Sequence, residues 1–507
     1  MLDLALIRSE PARVKAALAR RGVPAEAIDA VVDLDRRWSA RQEVRDALRT
    51  RRRQISDEVA RRRSAHPTAH PGGPPAASAP VDRDLVRAGR EVGQDLRAVG
   101  DAMADLRARR DAALSALPNL PATDVPDAPP ALDPAGPVWP KPFAPLAHWD
   151  LLAMLRLSAP AGGSAGSGFL LWRGEGARLV HGLVRLMLDV HAADGREEVL
   201  APPVATRRAL EGSAHLPLLE EKMYRVVEPA APGEPGAPPF EPAAEAAGHV
   251  VPAGHVPRAS DVTGCFRTRL EQRRALRSKG AEGREAGPDG ALPAHDLFLA
   301  PRAEPHLAAL HAGEVLDAAA LPHRLAASAT AFRRESHGGG SAGRGLLRLH
   351  AFPTVEVYTF CRAAESDAEL ERAVASAETI LGRLEVAHRR RLRAATDLSH
   401  AAARTVSLDV WCPGLPTAEG HPEARGRWLE VAALSSFTDY QARRTGTQVR
   451  DAGGRTRLVY TVGGAAVALP RLIAALVETG QEADGSVRLP PALVPYVGTD
   501  VLGAAHI

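Results

Sequence analysis

The sequence predicts an α+β protein in which an antiparallel sheet flanked by helices follows an N-terminal antiparallel coiled-coil arm. Two long helical patterns of similar length lie within residues 1–117, and a segment rich in proline and glycine separates them. From residue 146 onward, strand patterns are interspersed with long helical patterns, which is typical of a sheet with helices packed on it. The Pro-rich residues 118–145 are the predicted linker between arm and body.

The arm begins with a short helical segment over residues 1–22, where Pro11 suits the first turn of a helix. A long helical pattern follows from about Ala25 to about Arg63. Residues 64–80 contain too much proline and glycine for a helix, and we expect a disordered tip there. A second heptad-like pattern then runs to residue 117, so the two helices are expected to form an antiparallel hairpin.

Arginines are dense on the first long helix of the arm. Four of them are candidate contacts for a nucleic acid: Arg41, Arg45, Arg49 and Arg52. Such a row can be a solvated helix face, or part of a coiled coil used for dimerisation. It can also follow the phosphates of a nucleic acid, with affinity that depends on salt. The net charge of the chain is only +3, so composition leaves these alternatives open.

The body has a predicted helix that opens at His148 and a strand and turn over residues 169–176. Further strands are predicted at residues 195–203, 297–300, 327–333, 346–360, 405–411, 428–434 and 457–461. Further helices are predicted at residues 177–192, 367–394 and 471–479.

Composition excludes several classes of protein. With 507 residues, of which 45% are hydrophobic, the chain is long enough for two or three domains with a sizeable core. Cys265, Cys361 and Cys412 lie too far apart for a disulfide framework or a zinc signature. We find no apolar run of membrane-spanning length and no signal-peptide pattern. The expected location is the cytoplasm, without membrane association.

The most informative segment is a predicted hairpin with a glycine-rich loop. Its first strand ends with Arg333 and Glu335, and its second carries Arg348, Phe352 and Glu356. Planar guanidinium groups can grip two phosphate oxygens at once. Carboxylates accept hydrogen bonds from amines or from an adenine amino group. The hairpin could therefore hold a nucleotide and an amine side by side, as the adenylation of an amino acid requires.

Several motifs occur in an order that resembles the seryl-tRNA synthetase family of class II aminoacyl-tRNA synthetases. They are PNLPATDVP at 118–126, GREEVLAPP at 195–203, EGSAHLP at 211–217, the hairpin above, QARR at 441–444, and Arg471. The resemblance covers essentially the whole chain. It implies a class II antiparallel sheet and a homodimer. It also implies that the arm binds the long variable arm of a serine tRNA, which favours the nucleic-acid interpretation of the arm arginines.

The resemblance implies roles for the hairpin residues in binding ATP. Arg333 matches the catalytic arginine that clamps the α-phosphate and the amino-acid carboxylate. Glu335 matches the acceptor for the adenine amino group, and Arg348 matches an arginine on the γ-phosphate. Phe352 matches the aromatic residue that stacks on adenine, although an ion pair for Arg333 and core packing for Phe352 stay open.

Two further positions complete the implied nucleotide site. Arg471 matches the second catalytic arginine, which also contacts ATP, and Glu430 matches a carboxylate that holds Mg²⁺ against the phosphates. The chain departs from the family at Ala433, where the family has a serine on the metal or phosphate side.

The implied amino-acid pocket departs further. We call the following residues the amino-acid pocket: Arg302, Glu304, Arg333, Glu356, Gly463 and Ala465. Glu304 and Glu356 are the acids suited to the substrate ammonium and hydroxyl. Arg302, Gly463 and Ala465 replace a threonine, an asparagine and a serine of the family. A pocket that selects a hydroxyl needs fixed polar partners, so the departures leave the identity of the amino acid open.

Three arrangements of Arg302 are open. It can pair with Glu304 or Glu356 and neutralise the grip on the ammonium. It can face a substrate that carries a second anionic group. It can also point away from the pocket.

The chain also carries an insertion at about residues 226–293 relative to the family. It begins rich in Pro, Ala and Gly and ends with a basic stretch over residues 267–284. A disordered or partly helical linker is expected, with possible tRNA contacts from the basic part. His249, His255 and Cys265 do not have the spacing of a metal site.

Three functions follow from these observations. The first is a ligase that adenylates serine or an analogue with ATP and Mg²⁺ and transfers it to tRNA. The second is a divergent paralogue that activates a different amino acid for a biosynthetic pathway or a non-tRNA acceptor. The third is a non-catalytic relative that binds tRNA or protein.

Overall fold

The computed structural model describes residues 1–65, 83–132, 136–137, 139–166, 168–226, 296–335, 344–417, 425–451 and 453–503. The chain divides into two compact units, Met1–Tyr224 with Phe298–Ile507, and Arg225–Leu297. In the second unit, the described residues Arg225 and Asp296 form an ion pair at 3.4 Å. Apart from Val226, the predicted insertion, with His249, His255 and Cys265, lies outside the described residues, as does most of the predicted tip of the arm.

The helices are α1 Leu4–Ser9, α2 Pro11–Ala19, α3 Ala25–Ala65, α4 Arg83–Ala116, α5 His148–Met154, α6 Gly162–Ala165, α7 Gly174–Ala193, α8 Arg207–Gly212, α9 Glu304–Ala309, α10 Ser366–Arg383, α11 Tyr440–Thr445, α12 Leu469–Gly480 and α13 Val494–Val497. The strands are β1 Ser158–Pro160, β2 Leu170–Trp172, β3 Glu197–Leu200, β4 Val204–Thr206, β5 Arg225–Val226, β6 Leu297–Leu299, β7 Val315–Asp317, β8 His323–Phe332, β9 Ala351–Cys361, β10 His388–Leu392, β11 Arg404–Pro416, β12 Arg425–Thr438, β13 Gln448–Arg450, β14 Thr456–Leu458, β15 Tyr460–Ala468, β16 Val487–Arg488 and β17 Val501–Leu502.

The two long helices of the arm pack antiparallel, as predicted. Near the start of α3, Asp35 accepts hydrogen bonds from Arg110, near the end of α4, at 3.1 Å and from Arg8 at 2.8 Å. Arg110 also lies 5.3 Å over the ring of Trp38. The buried residues of α4 follow a heptad-like spacing: Val92, Val99, Met103, Leu106 and Leu114.

The body is built on a seven-stranded sheet in the order β10-β11-β12-β15-β9-β8-β3. All neighbouring strands in this sheet are antiparallel except β3 and β8, which are parallel. Apolar side chains on one face form a core with α7, α10 and α12. Because side chains alternate along a strand, the other face is available for the polar residues described below.

Three predicted elements differ from the structure. The strand predicted over residues 457–461 is divided between β14 and β15, which belong to different sheets. The helix predicted over residues 367–394 ends at Arg383, and Glu385 has a positive φ of 54°. The chain then forms β10. Because arginines occupy both faces of this strand, its sequence does not show the alternation of polar and apolar residues that is typical of a strand. The strand predicted over residues 346–360 begins only at Ala351, after a 3₁₀ turn over Gly345–Leu347.

The predicted linker is irregular where it is described, but it is anchored to the body. The buried amide of Asn119 donates to the carbonyl oxygens of Ala401 and Phe437, each at 2.9 Å. The boundaries of the arm, linker and body remain predictions. Within the described parts of the chain, no helix is long and apolar enough to cross a membrane.

Candidate active site

One row of side chains crosses four strands on the polar face of the sheet. Ser407 pairs with Ala433, Ala433 with Ala465, and Ala465 with Glu356. Paired residues in a sheet project to the same face. The row therefore brings the predicted metal-side position Ala433 next to Ala465 and Glu356 of the amino-acid pocket.

Arg333 follows β8 at the edge of this face. Its backbone N–H donates to the carbonyl oxygen of His350 at 2.8 Å, and its guanidinium lies 5.7 Å from the ring centre of Phe352. Burial, together with the charge of Arg302, lowers the pKa of Arg333 to about 10. Arg333 is thus a cation at neutral pH, held against the aromatic ring predicted to stack on adenine.

Arg302 lies between the two acids of the amino-acid pocket. Its Nη1 is 3.4 Å from Oε2 of Glu304, and its Nε is 3.6 Å from Oε1 of Glu356. Both carboxylates are buried, whereas the Arg302 side chain is 24% exposed. Of the three arrangements left open by the sequence, the structure has the first, in which Arg302 neutralises the acids.

Glu304 makes two hydrogen bonds in addition to its contact with Arg302. Its backbone N–H donates to Oε2 of Glu356 at 2.9 Å. Its Oε1 accepts a hydrogen bond from Nε2 of Gln441 at 2.7 Å. Burial raises the pKa of Glu304 to about 7, although the charge of Arg302 opposes this shift. The carboxyl therefore exchanges its proton near neutral pH.

Gln441, the first residue of the QARR motif, positions the Glu304 carboxyl. Its Oε1 accepts hydrogen bonds from the hydroxyl groups of Tyr358 at 2.7 Å and Thr461 at 3.2 Å. These bonds fix which end of the amide faces Glu304. A glutamine at the start of a short helix gives no local signal of this role, which depends on strands distant in sequence.

His215 was also missed as a neighbour of the pocket. It is buried and lies 2.9 Å from the hydroxyl of Ser213. Burial, together with the charges of Arg302 and Arg333, lowers the pKa of His215 to about 3. The imidazole is therefore neutral and adds no charge to a region that already contains two arginines.

Gly463 cannot accept a side chain without rearrangement. A Cβ atom added there would lie 2.7 Å from the Tyr358 ring and 2.8 Å from the carbonyl oxygen of Val357. Tyr358 and the backbone of Val357 thus leave no room for a Cβ atom at the position where the resemblance implies an asparagine. Together with Ala465, this makes the wall of the pocket apolar at the two positions where the resemblance implies polar groups.

Glu335 and Arg348 contact each other. Nε of Arg348 donates to Oε2 of Glu335 at 2.8 Å, and both side chains are partly exposed. Exposed ion pairs contribute only about 0 to 1 kcal/mol. A nucleotide can therefore replace this pair at small cost, so the contact is compatible with the predicted roles of both residues.

Glu430 lies in a cluster of arginines. Its carboxylate accepts hydrogen bonds from Arg391 at 3.1 Å and from two nitrogens of Arg393, and Nη1 of Arg471 donates to its carbonyl oxygen at 2.6 Å. Burial raises the pKa of Glu430, but the hydrogen bonds and charges of Arg393 and Arg391 outweigh burial, and the net shift is downward. Glu430 is therefore ionised.

These residues do not fit a Mg²⁺ ion held by the protein. Both carboxylate oxygens of Glu430 are engaged by guanidinium groups, and Ala433 supplies no oxygen. Among the described residues, no group of three or more His, Cys, Asp or Glu side chains could hold a metal ion. The predicted Mg²⁺ ligand is thus part of an ion-pair cluster.

The predicted arm residues lie on α3, apart from the sheet face. Arg41, Arg49 and Arg52 are exposed and Arg45 is half-buried. Asp46 lies 3.5 Å from Arg45 and 3.8 Å from Arg49.

Comparison with known proteins agrees with this geometry. A family model described as the seryl-tRNA synthetase N-terminal domain matches residues 1–121, and one described as the tRNA synthetase class II core domain (G, H, P, S and T) matches residues 292–480. A serine–tRNA ligase of Gemmatimonas aurantiaca is 34% identical over 99% of this chain and 100% of that relative. The chain belongs to the seryl-tRNA synthetase family. A serine–tRNA ligase of Pelotomaculum thermopropionicum is 30% identical over 98% of this chain and 99% of that relative.

Solved structures of seryl-tRNA synthetases have the same fold. The crystal structure of the seryl-tRNA synthetase from Pyrococcus horikoshii complexed with ATP matches with a TM-score of 0.74 and 26% identity, over 99% of both chains. A cytoplasmic serine–tRNA ligase from Naegleria fowleri has a TM-score of 0.71 at 19% identity, over 99% of this chain and 98% of that one, which shows the fold alone. The predicted family, the class II fold and the class of aminoacyl-tRNA ligase are confirmed.

Proposed function

We propose that this member of the seryl-tRNA synthetase family activates serine or a close analogue with ATP and transfers it to a serine tRNA. The observation that carries the proposal is the position of Arg333, which joins the two halves of the site. It lies against Phe352 on the predicted adenine side. On the amino-acid side, its charge interacts with the charges of Glu356 and Arg302. The relative with bound ATP supports ATP as the nucleotide.

In the first step, a carboxylate oxygen of the amino acid attacks the α-phosphorus of ATP. A new P–O bond forms, the bond to pyrophosphate breaks, and its electron pair leaves with pyrophosphate. The attacking carboxylate is already ionised, so this step needs no general base. Arg333 stabilises the charge that develops on the α-phosphoryl group, and catalysis follows from positioning and electrostatics. In the second step a ribose hydroxyl at the 3′ end of the tRNA attacks the acyl carbon. A C–O ester bond forms, the bond between the acyl carbon and the phosphate oxygen breaks, AMP leaves with that electron pair, and the hydroxyl proton passes to the departing phosphate or to water.

The substrate ammonium would be bound by Glu304 and Glu356, with Gln441 fixing the first of these acids. Arg302 occupies both acids in the structure, so the ammonium must take its place. The displaced guanidinium, close to Arg333, could then pair with an anionic side group of the substrate. This favours, as a second candidate, an amino acid other than serine, in agreement with the apolar wall at Gly463 and Ala465.

Amino-acid-dependent ATP–pyrophosphate exchange tests both candidates. The assay covers the twenty amino acids and small serine analogues, for the wild type and for Arg302→Thr. We expect exchange with serine and no exchange in Arg333→Ala. Exchange only with an amino acid that has an anionic side group, lost in Arg302→Thr, would support the second candidate. Absence of exchange with every compound would contradict both.

The tRNA arm, the homodimer and Mg²⁺ remain part of the proposal. Arginines on α3 are suited to the phosphates of a tRNA because their affinity would come from counterion release. Sedimentation of the full chain would test the homodimer. Since the residues around Glu430 do not fit an ion held by the protein, Mg²⁺ would arrive bound to the phosphates of ATP.

A further inference from the structure

Arginines line one side of the edge strand β10. Side chains alternate along a strand, so Arg389 and Arg391 share a face, and Arg390 lies on the other. Arg393 follows directly after β10, where its N–H still bonds to the carbonyl oxygen of Thr405 in β11, and it lies on the same side as Arg389 and Arg391. The alternation is visible in their contacts. Arg389 and Arg391 bind Asp409, each at 3.3 Å, whereas Arg390 binds the exposed Glu371. Arg389, Arg391 and Arg393 therefore face the candidate active site.

The cluster carries more positive than negative charge. Four guanidinium groups, Arg389, Arg391, Arg393 and Arg471, surround two carboxylates, Asp409 and Glu430. The side chains of Arg389, Arg391 and Arg393 are only 23, 18 and 20% exposed, so water screens this excess incompletely. Ion pairs of this kind contribute little to net stability, and an excess of charge in a half-buried site is unfavourable unless an anion offsets it.

The acids hold the arginines in position and leave donors for a ligand. Among the described residues, the hydrogen bonds of Arg391 use its Nε and Nη2 only. Nε of Arg393 is fixed by the hydroxyl of Ser407 at 2.8 Å as well as by Glu430. Its Nη1 donates to the carbonyl oxygen of Asp397 at 3.3 Å and its Nη2 to Glu430, so the second hydrogen on each of these two nitrogens is left for a ligand. A guanidinium group has five N–H donors in a planar fork that matches phosphate oxygens.

The cluster also adjoins the rest of the site. Ser407, which binds Arg393, belongs to the row of paired residues that continues through Ala433 and Ala465 to Glu356. In addition, the charge of Arg471 acts on Arg333, and the charge of Glu430 acts on Arg302. A nucleotide whose α-phosphate lies at Arg333 would thus direct its outer phosphates towards Glu430 and Arg471.

We propose that Arg391 and Arg393 bind the β- and γ-phosphates of ATP and supply, from the protein, positive charge that the predicted Mg²⁺ would otherwise supply. The inference rests on the proposed function for the orientation of ATP. In this arrangement, Glu430 positions Arg391 and Arg393. The arrangement also gives the chain a weaker dependence on divalent cations for binding ATP.

Calorimetric titration of the full chain with ATP and with AMP, in EDTA and then in MgCl₂, tests the inference. AMP lacks the β- and γ-phosphates and so reports the rest of the site. In EDTA we expect the wild type to bind ATP more tightly than AMP. The double variant Arg391→Leu/Arg393→Leu should lose a factor of about 10 to 100 in affinity for ATP in EDTA. Its affinity for AMP should be unchanged.

Arg390→Leu is the matched control, because it removes a guanidinium from the same strand on the opposite side. It should bind both nucleotides as the wild type does. If the double variant is unfolded by circular dichroism, Arg391→Lys/Arg393→Lys retains the charge and removes the planar forks, and should show a smaller loss of the same kind.

Equal losses for ATP and AMP would overturn the inference and assign the cluster a structural role. Equal affinities of the wild type for ATP and AMP in EDTA would also overturn it. A failure of the proposed function is distinguishable, because it would appear as absence of pyrophosphate exchange while ATP and AMP still bind differently.

Discussion

Glu304 should ionise within the amino-acid pocket as the pH rises through about 7, with opposite effects on stability and on substrate binding. Its carboxyl is buried, and burial is the main cause of its raised pKa. Protons bind it more tightly in the folded chain than in the unfolded chain. Its contribution to stability is therefore present below pH 4.5, the ordinary value, and is lost as the pH rises through about 7. Amino-acid affinity should instead rise over the same range, because ionised Glu304 binds an ammonium.

The size of the effect follows from the shift. A change from 4.5 to about 7 corresponds to about 3 kcal/mol of unfolding free energy, at 1.4 kcal/mol per pH unit. Other groups also titrate between these values, so the quantity to compare is the difference between the wild type and Glu304→Gln. The variant keeps a side-chain oxygen that can accept a hydrogen bond from Gln441, but it has no carboxyl group that titrates.

Urea unfolding at about pH 4.5 and about pH 7.5 is the assay, with serine KM in pyrophosphate exchange measured from about pH 6 to about pH 8. Between about pH 4.5 and about pH 7.5, the unfolding free energy of the wild type should fall by about 3 kcal/mol more than that of Glu304→Gln. Glu43→Gln, on an exposed position of the arm, is the control and should behave as the wild type does. If the unfolding free energy of Glu304→Gln depends on pH as strongly as that of the wild type, Glu304 does not titrate in this range. The raised pKa assigned to Glu304 would then be wrong.

Three further changes test other parts of the site. Arg333→Lys keeps the charge but loses the planar fork, and should lower the exchange rate by about 100-fold with the fold intact by circular dichroism. Gly463→Ala places a Cβ against the Tyr358 ring and should raise the serine KM and lower the urea midpoint, whereas Ala465→Gly should lower the midpoint only slightly. Replacing the four predicted arm residues by alanine should weaken tRNA binding and flatten its salt dependence without changing pyrophosphate exchange. Unchanged tRNA affinity would exclude the arm residues as phosphate contacts. Those residues are Arg41, Arg45, Arg49 and Arg52.

The sequence was most informative where one motif held several groups at fixed spacing. Arg333 and Phe352 lie on adjacent segments of one hairpin, and the structure brings them together as that motif predicts. The heptad pattern of the arm was equally direct, because coiled-coil packing depends on local spacing. Glu304 and Glu356 also meet, although only the resemblance related two positions so far apart in sequence.

The sequence was least informative where the environment comes from distant strands. The residues of β10 were predicted as helix because arginines occupy the positions where a half-buried strand usually has apolar residues. That error concealed Arg391 and Arg393 as members of the site, since only the pairing of β10 with β11 turns them towards Glu430. The orientation of Gln441 and the neutral state of His215 likewise depend on burial by residues far along the chain.

Arginines contact the predicted ligand-binding acids at both ends of the site, yet the two ends should respond to ligands in opposite ways. At the amino end, a substrate ammonium carries the same charge as Arg302 and must compete with it for Glu304 and Glu356. Removing this arginine should therefore improve the affinity for serine, which has no anionic side group. At the phosphate end, the ligand has the opposite charge to Arg391 and Arg393, and these arginines have N–H donors beyond those that bind Glu430. Removing these arginines should weaken ATP binding, and changes of the same sign at both ends would be incompatible with this electrostatic account.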